Sequence, residues 1–135
     1  MIVVDANVWV ARFIRSEPRY QHSRQFIRRM LRLRERIAAP RFLLVEVAAA
    51  VMRQLNDAPT AQRAIQQIQR LRDFRWVAVD DRLINRAIEV AIDLQLTAAD
   101  ALYVAVAEQL NVPLYTWDHE ILTRAPQRIR VYAPS

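Results

Sequence analysis

"LTAADALYVAVAEQLNVPLYTWD", residues 96–118, is the stretch on which the fold turns. Thr97 to Leu110 reads as a helix with hardly any polar face, which only enclosure by the rest of the protein can satisfy. Asn111 and Pro113 stop it, and "PLYT" (113–116) follows as a short buried strand. An apolar helix leading straight into a buried strand is the pattern of a helix laid on a sheet. The same alternation extends in both directions. Toward the N-terminus come a helix from Asp81 to about Leu94, the strand "RWVAV" (75–79), and a helix that Thr60 caps and that runs to about Arg72. Before these lie a helix from Phe42 to Leu55, which Asn56 ends in the left-handed conformation, a long helix from Tyr20 to Ile37, a helix from Val8 to Ile14, and the strand Ile2 to Val4. Toward the C-terminus a short helix starts at His119 and "IRVYA" (129–133) forms a last strand. Strands separated by helices imply parallel crossovers, hence an α/β fold: a three-layer α/β/α sandwich with a mainly parallel sheet of four or five strands. No repeat, low-complexity run or linker divides the chain, and residues 1–135 are expected to form a single domain.

Charge narrows the partners. All 20 basic residues are Arg, against 14 acids. Ten of them lie between Arg12 and Arg41, opposed there only by Glu17 and Glu35, so this segment carries +8 and the remainder −2. Such a stripe suits a polyanion such as nucleic acid, because guanidinium pairs with phosphate oxygens bidentately and phosphate contacts release counterions. The alternative is a solvated helix face in a chain that prefers Arg to Lys. The absence of Cys excludes disulfides and thiolate zinc sites and suits a reducing cytoplasm, and no apolar run approaches the length of a membrane span. The N-terminus, with Asp5 so early and no basic leader, does not read as a signal peptide. The lack of any Gly argues against the phosphate loops of Rossmann and P-loop proteins, which need Gly where backbone approaches phosphate.

Four acids sit in apolar surroundings. Asp5 follows the first strand, at the carboxyl edge where open α/β sheets place their ligands, or else caps the next helix. Glu46, in "RFLLVEVAAAVM", has Phe42, Leu43, Ala49 and Ala50 as its helical neighbours, so it either pairs with an Arg from elsewhere or helps to hold a cation. Asp100 fits a Thr-x-x-Asp capping box with Thr97, yet the helix it begins packs so deep that Asp100 is aimed inward. Asp118 follows the strand "VPLYT" as Asp5 follows the first, and could equally cap. One site at the sheet rim accounts for all four together. Clustered carboxylates disfavour one another's ionisation unless a cation intervenes. With oxygen ligands only, and His22 and His119 not spaced as a pair, the hard ions Mg²⁺ or Mn²⁺ suit the set better than zinc.

"VVDANVWV", "APRFLLVEV" and "LTAADALYVAVAEQLNVPLYTWD", with the spacing among them, resemble the PIN domain family, and the short length resembles its VapC-type toxins. The likeness spans residues 2 to 118. It implies that Asp5, Glu46, Asp100 and Asp118 form an acidic quartet, with Thr116 and Asn7 as polar supports. It also implies metal-dependent endoribonuclease activity on RNA, a homodimer, and silencing by an antitoxin whose tail occupies the active-site groove. Asn111 stands where such a turn commonly has Gly, and His119 and Glu120 stand where a basic residue often follows the last acid. Asp93 is a reserve ligand only.

On this reading Asp5, Asp100 and Asp118 hold the metal directly or through water, and Glu46 orients or deprotonates the attacking water. Thr116 fixes a carboxylate by hydrogen bonding. The Arg-rich segment, including Arg12, Arg15, Arg19, Arg24 and Arg28, tracks the RNA backbone. Competing readings are a PIN-like RNA-binding or partner-binding module without turnover, a solitary RNA-processing nuclease, and a phosphoacceptor receiver domain, which the absence of Lys disfavours.

Overall fold

The computed structural model describes residues 1–135. Five parallel strands form one sheet in the order β3-β2-β1-β4-β5. They are β1 (Ile2–Val4), β2 (Ile37–Pro40), β3 (Arg75–Val77), β4 (Leu114–Tyr115) and β5 (Val131–Tyr132). The helices are α1 (Ala6–Phe13), α2 (Tyr20–Arg32), α3 (Leu43–Leu55), α4 (Ala58–Gln69), α5 (Asp81–Leu94), α6 (Ala98–Leu110) and α7 (His119–Arg124). A 3-10 turn at Ala125–Gln127 precedes β5. This is the expected α/β/α sandwich, with all of its strands parallel.

β1 lies at the middle of the sheet and is apolar throughout, as a strand covered on both faces must be. α6 packs on β1, β2 and β4, and Ala101 together with Tyr103 to Ala107 are all buried, which accounts for its nearly unbroken apolar sequence. No single helix is long and apolar enough to cross a membrane.

The strand order fixes where a ligand can sit. From β1 the chain builds outward through β2 to β3 on one side, and then returns to lay β4 and β5 on the other. Loops leaving the carboxyl ends of β1 and β4 therefore diverge, opening a crevice at the switch point.

Five elements differ from expectation. The helix from Tyr20 does not reach Ile37: it stops at Arg32, the chain turns with Arg34 at φ 55°, and Ile37–Pro40 forms a fully buried strand between β1 and β3. Pro40 closes this strand opposite Val77, and the Arg41 N–H just beyond it still donates to the Val77 carbonyl at 3.1 Å. The cap of α4 is Asp57 rather than Thr60, which donates both its backbone N–H (3.3 Å) and its hydroxyl (2.8 Å) to the Asp57 carboxylate. The third and last strands are shorter than their apolar runs, ending at Val77 and Tyr132.

Candidate active site

Asp5 leaves the carboxyl end of β1 with its side chain turned inward. It stands at the N-cap position of α1 but makes no capping bond; its Oδ2 instead accepts a hydrogen bond from the Thr116 hydroxyl at 2.7 Å, from beyond the end of β4. The residue is only 4% exposed. Burial, reinforced by the charges of Asp100 and Glu46 and opposed by the Thr116 bond, raises its pKa from the usual 3.8 to about 7.

Thr116 is the hub. Its fully buried hydroxyl donates to Asp5 and accepts from Asn7 Nδ2 at 3.1 Å and from the Asp118 backbone N–H at 3.0 Å. One proton and two lone pairs are thus all used. Asn7 completes the link by accepting the Trp117 backbone N–H at 3.2 Å. These bonds tie the ends of β1 and β4 together across the switch point.

Glu46 lies in the first turn of α3, where a carboxylate is favoured by the helix dipole. No guanidinium pairs with it; the Tyr103 hydroxyl donates to its Oε1 at 2.6 Å. Burial and the charge of Asp100 raise its pKa, and the Tyr103 bond acts against them. Asp100, in the first turn of α6, is likewise raised, by burial first, then by Asp118 and Glu120, with the Thr97 side chain tempering the shift. Thr97 makes no side-chain capping bond to α6, so the capping box does not form. Asp118 does cap: its Oδ1 accepts the Ile121 N–H of α7 at 2.9 Å. Capping leaves Asp118 close enough for its charge to act on Asp100.

Asp5, Glu46 and Asp100 therefore share a neighbourhood, Asp118 joins it through Asp100, and none of the four makes an ion pair. Asp93 lies outside the group, bound to Arg128 at 2.7 Å. As the side chains stand, no three carboxylates or imidazoles are close enough to grip one ion. In chemistry the donor set fits a hard divalent cation: every group is oxygen, none is paired with a basic side chain, and a cation would offset the burial and mutual repulsion that raise the pKa values of Asp5, Glu46 and Asp100.

Beside the acids opens a recess of about 410 Å³. Asn7, Glu46 and Trp117 line it, together with Glu17, Arg19 and Arg53 and several small side chains. The Arg19 guanidinium stacks over the Trp117 ring at 4.6 Å, and the indole N–H donates to buried Ser23 at 2.9 Å. Of the expected basic residues, Arg19 is thus at the site, Arg12, Arg24 and Arg28 gather on a separate surface described below, and Arg15 is exposed in the turn after α1.

Tyr103, Ser23, Arg53 and Glu120 escape a reading by motif. For Tyr103 a signal exists: three residues after Asp100 and one turn along the same face, it is the only hydroxyl in an otherwise apolar stretch of helix.

A parallel sandwich with unpaired carboxylates at its switch-point rim is a fold with a built acidic site. A PIN domain profile matches residues 2–126, and the chain belongs to the PIN domain family. Among solved structures it is similar to Mycobacterium tuberculosis VapC20, a sarcin-ricin loop cleaving toxin, with a TM-score of 0.75 at 18% identity over 91% of this chain and 94% of that one. A toxin–antitoxin complex from Klebsiella pneumoniae gives a TM-score of 0.74 at 16% identity, covering 100% and 98% of the two chains. FitAcB from Neisseria gonorrhoeae gives 0.75 at 17%, covering 99% and 98%. No protein with a curated description matches the sequence.

Proposed function

We propose that this PIN domain protein is a Mg²⁺- or Mn²⁺-dependent endoribonuclease, the VapC-type toxin of a toxin–antitoxin pair. The observation that carries the reading is the gathering of Asp5, Glu46, Asp100 and Asp118, drawn from four separate segments, with no cation to neutralise them. Keeping half-buried carboxylates beside a buried one costs stability, and a site for a divalent ion explains why they are kept.

Asp5, Asp100 and Asp118, with Glu46, would hold the ion. Once bound, it would lower the pKa of a coordinated water and polarise the phosphoryl oxygens. The chain's own groups do the rest. Glu46, with its raised pKa, takes the proton of the attacking water, and the Tyr103 hydroxyl fixes the orientation of the carboxylate that receives it. Thr116 and Asn7 hold Asp5 and the Trp117–Asp118 backbone in register, so substrate meets a preformed rim. Arg19, beside Trp117, engages the backbone of the RNA at the rim. The family resemblance extends the proposal to a homodimer in the cytoplasm, silenced by a cognate antitoxin protein.

The test is cleavage of RNA by the purified protein. Turnover is expected with Mg²⁺ or Mn²⁺, to be lost in chelator, and to be lost in Asp100→Asn at equal folding; a rate unchanged by chelator would overturn the mechanism. A second reading, an RNA-binding module without turnover, draws on the spacing of the acids, no three of which meet around one point. A complex that forms equally in chelator, with no cleavage under any divalent ion, would select it.

A further inference from the structure

The second surface is cationic. At the C-terminal end of α1, Arg12 meets Arg24, Arg28 and Arg32 of α2, and with Leu31 these line a recess of about 330 Å³. Arg24, Arg28 and Arg32 recur at every fourth position and so share one helix face, an arrangement that disfavours the helix through like-charge repulsion. Arg12 is pressed against the same face from the neighbouring helix, and burial with the charges of Arg24 and Arg28 disfavours its protonated form. No carboxylate answers them, since none of the four takes part in an ion pair.

Elsewhere the protein does pair some of its arginines: Arg86 and Arg128 both bind Glu108, at 2.8 and 2.7 Å, and Arg128 also binds Asp93. Most of the 20 arginines pair with no carboxylate, and what sets this cluster apart is that four of them line one recess. Four forked donors line one recess, with the Arg12 guanidinium over the Phe13 ring at 5.1 Å and that of Arg24 over the Tyr20 ring at 5.2 Å, and such donors suit the oxygens of a phosphate group, which accepts them in pairs. The recess is separate from the acidic rim. Arg12 lies seven residues beyond Asp5, and along the helix that separation amounts to about 10 Å.

We propose that Arg12, Arg24, Arg28 and Arg32 form a phosphate-binding cradle that anchors the RNA backbone a few nucleotides from the bond positioned at the acidic rim. That the phosphate belongs to RNA rests on the nuclease reading; the cradle itself does not.

Binding, measured without cleavage, separates the two. A short fluorescent single-stranded RNA of one repeated base is titrated in chelator with full-length wild type, with Arg28→Gln/Arg32→Gln, and with a control of equal charge change at exposed positions elsewhere, Arg70→Gln/Arg72→Gln. The cradle variant should bind roughly tenfold more weakly, as expected for losing charge-assisted contacts. Its salt dependence should be shallower by about 0.7 in the log–log slope for each phosphate released. The control should change less than about twofold. Because Arg28→Gln/Arg32→Gln relieves repulsion, it should melt no lower than wild type; a lower melting temperature would assign the cluster to packing and overturn the proposal. Inorganic phosphate, at ionic strength matched with chloride, should displace RNA from wild type more than from the cradle variant. Equal losses in cradle variant and control, or no RNA binding by wild type, would overturn it. So would tighter binding of a polyglutamate peptide than of RNA through the same residues, which would point to an acidic protein segment instead. RNA cleavage that persists while these binding effects fail would leave the nuclease reading standing alone.

Discussion

Asp5 titrates against the fold that buries it. Its pKa is about 7 in the folded chain and near 3.8 when exposed, so between these values the folded protein keeps a proton that the unfolded chain has released. The folded state then binds more protons than the unfolded one, and stability falls as pH rises through this window, levelling off above it. Glu46 and Asp100, both raised, act in the same direction. In chelator, wild type should lose up to about 3 kcal/mol between pH 5 and pH 8 on account of Asp5. Asp5→Asn, which cannot ionise, should lose much less, and urea unfolding at the two pH values reads the difference. Equal losses in both proteins would show that Asp5 is already ionised when folded.

Among residues, what could be read from the sequence was the acid and not its company. Asp5, Glu46, Asp100 and Asp118 stand out because each interrupts or closes an apolar run. Whether they cap, pair or cluster depends on side-chain direction. Here the answers divide: Asp118 caps and also joins the cluster, Asp5 and Asp100 form no capping bond of the kind weighed for them, and Glu46 finds a tyrosine hydroxyl rather than an arginine.

At the level of elements, the missed strand has a physical cause. Ile37–Pro40 carries two Ala and a Pro, residues poor in β-propensity, and comes shortly after the alternating Leu and Arg of residues 31–34, which prolong the helical pattern past the end of α2. Burial between two parallel neighbours, not intrinsic preference, makes it a strand. The stops between elements are equally particular to this chain. Without any Gly, the left-handed positions fall to Arg34, Asn56, Asp73, Gln95 and Asn111. Asn56 and Asn111 suit that conformation, as expected for both, whereas Gln95, ending α5 at φ 55°, has no local hydrogen-bonding advantage there. Gln95→Gly should raise stability by about 0.5–1 kcal/mol, the left-handed strain removed exceeding the entropy that Gly adds to the unfolded chain. Thermal unfolding checks it, with Asn111→Gly, near neutral, as the comparison; a destabilised Gln95→Gly would mean that the side chain itself is needed.

For the molecule as a whole, the strand order and the acidic rim belong together, because the reversal of winding at β1 and β4 brings sequence positions 5 and 118 to adjacent strand ends. A divalent ion held there should stabilise the whole cooperative unit, by about 2.7 kcal/mol at a hundredfold excess over its dissociation constant. Mg²⁺ or Mn²⁺ should raise the melting temperature, more at pH 8 than at pH 5, since protons compete for the same oxygens below the raised pKa of Asp5. A shift equal at both pH values, or surviving Asp5→Asn with Asp100→Asn, would place the ion elsewhere.

The Thr116 hub gives the molecule a timetable during its own synthesis. A ribosome releases Asp5 first and Thr116 only after most of the chain has been made, and at about 5–20 residues per second the interval lasts several seconds. Throughout it the first carboxylate has no hydroxyl to lean on and β1 has no partner on its β4 side. Until Thr116 has emerged the nascent chain lacks both the Asp5–Thr116 hydrogen bond and the pairing of β1 with β4, so the rim is completed only when this later segment docks beside the first strand.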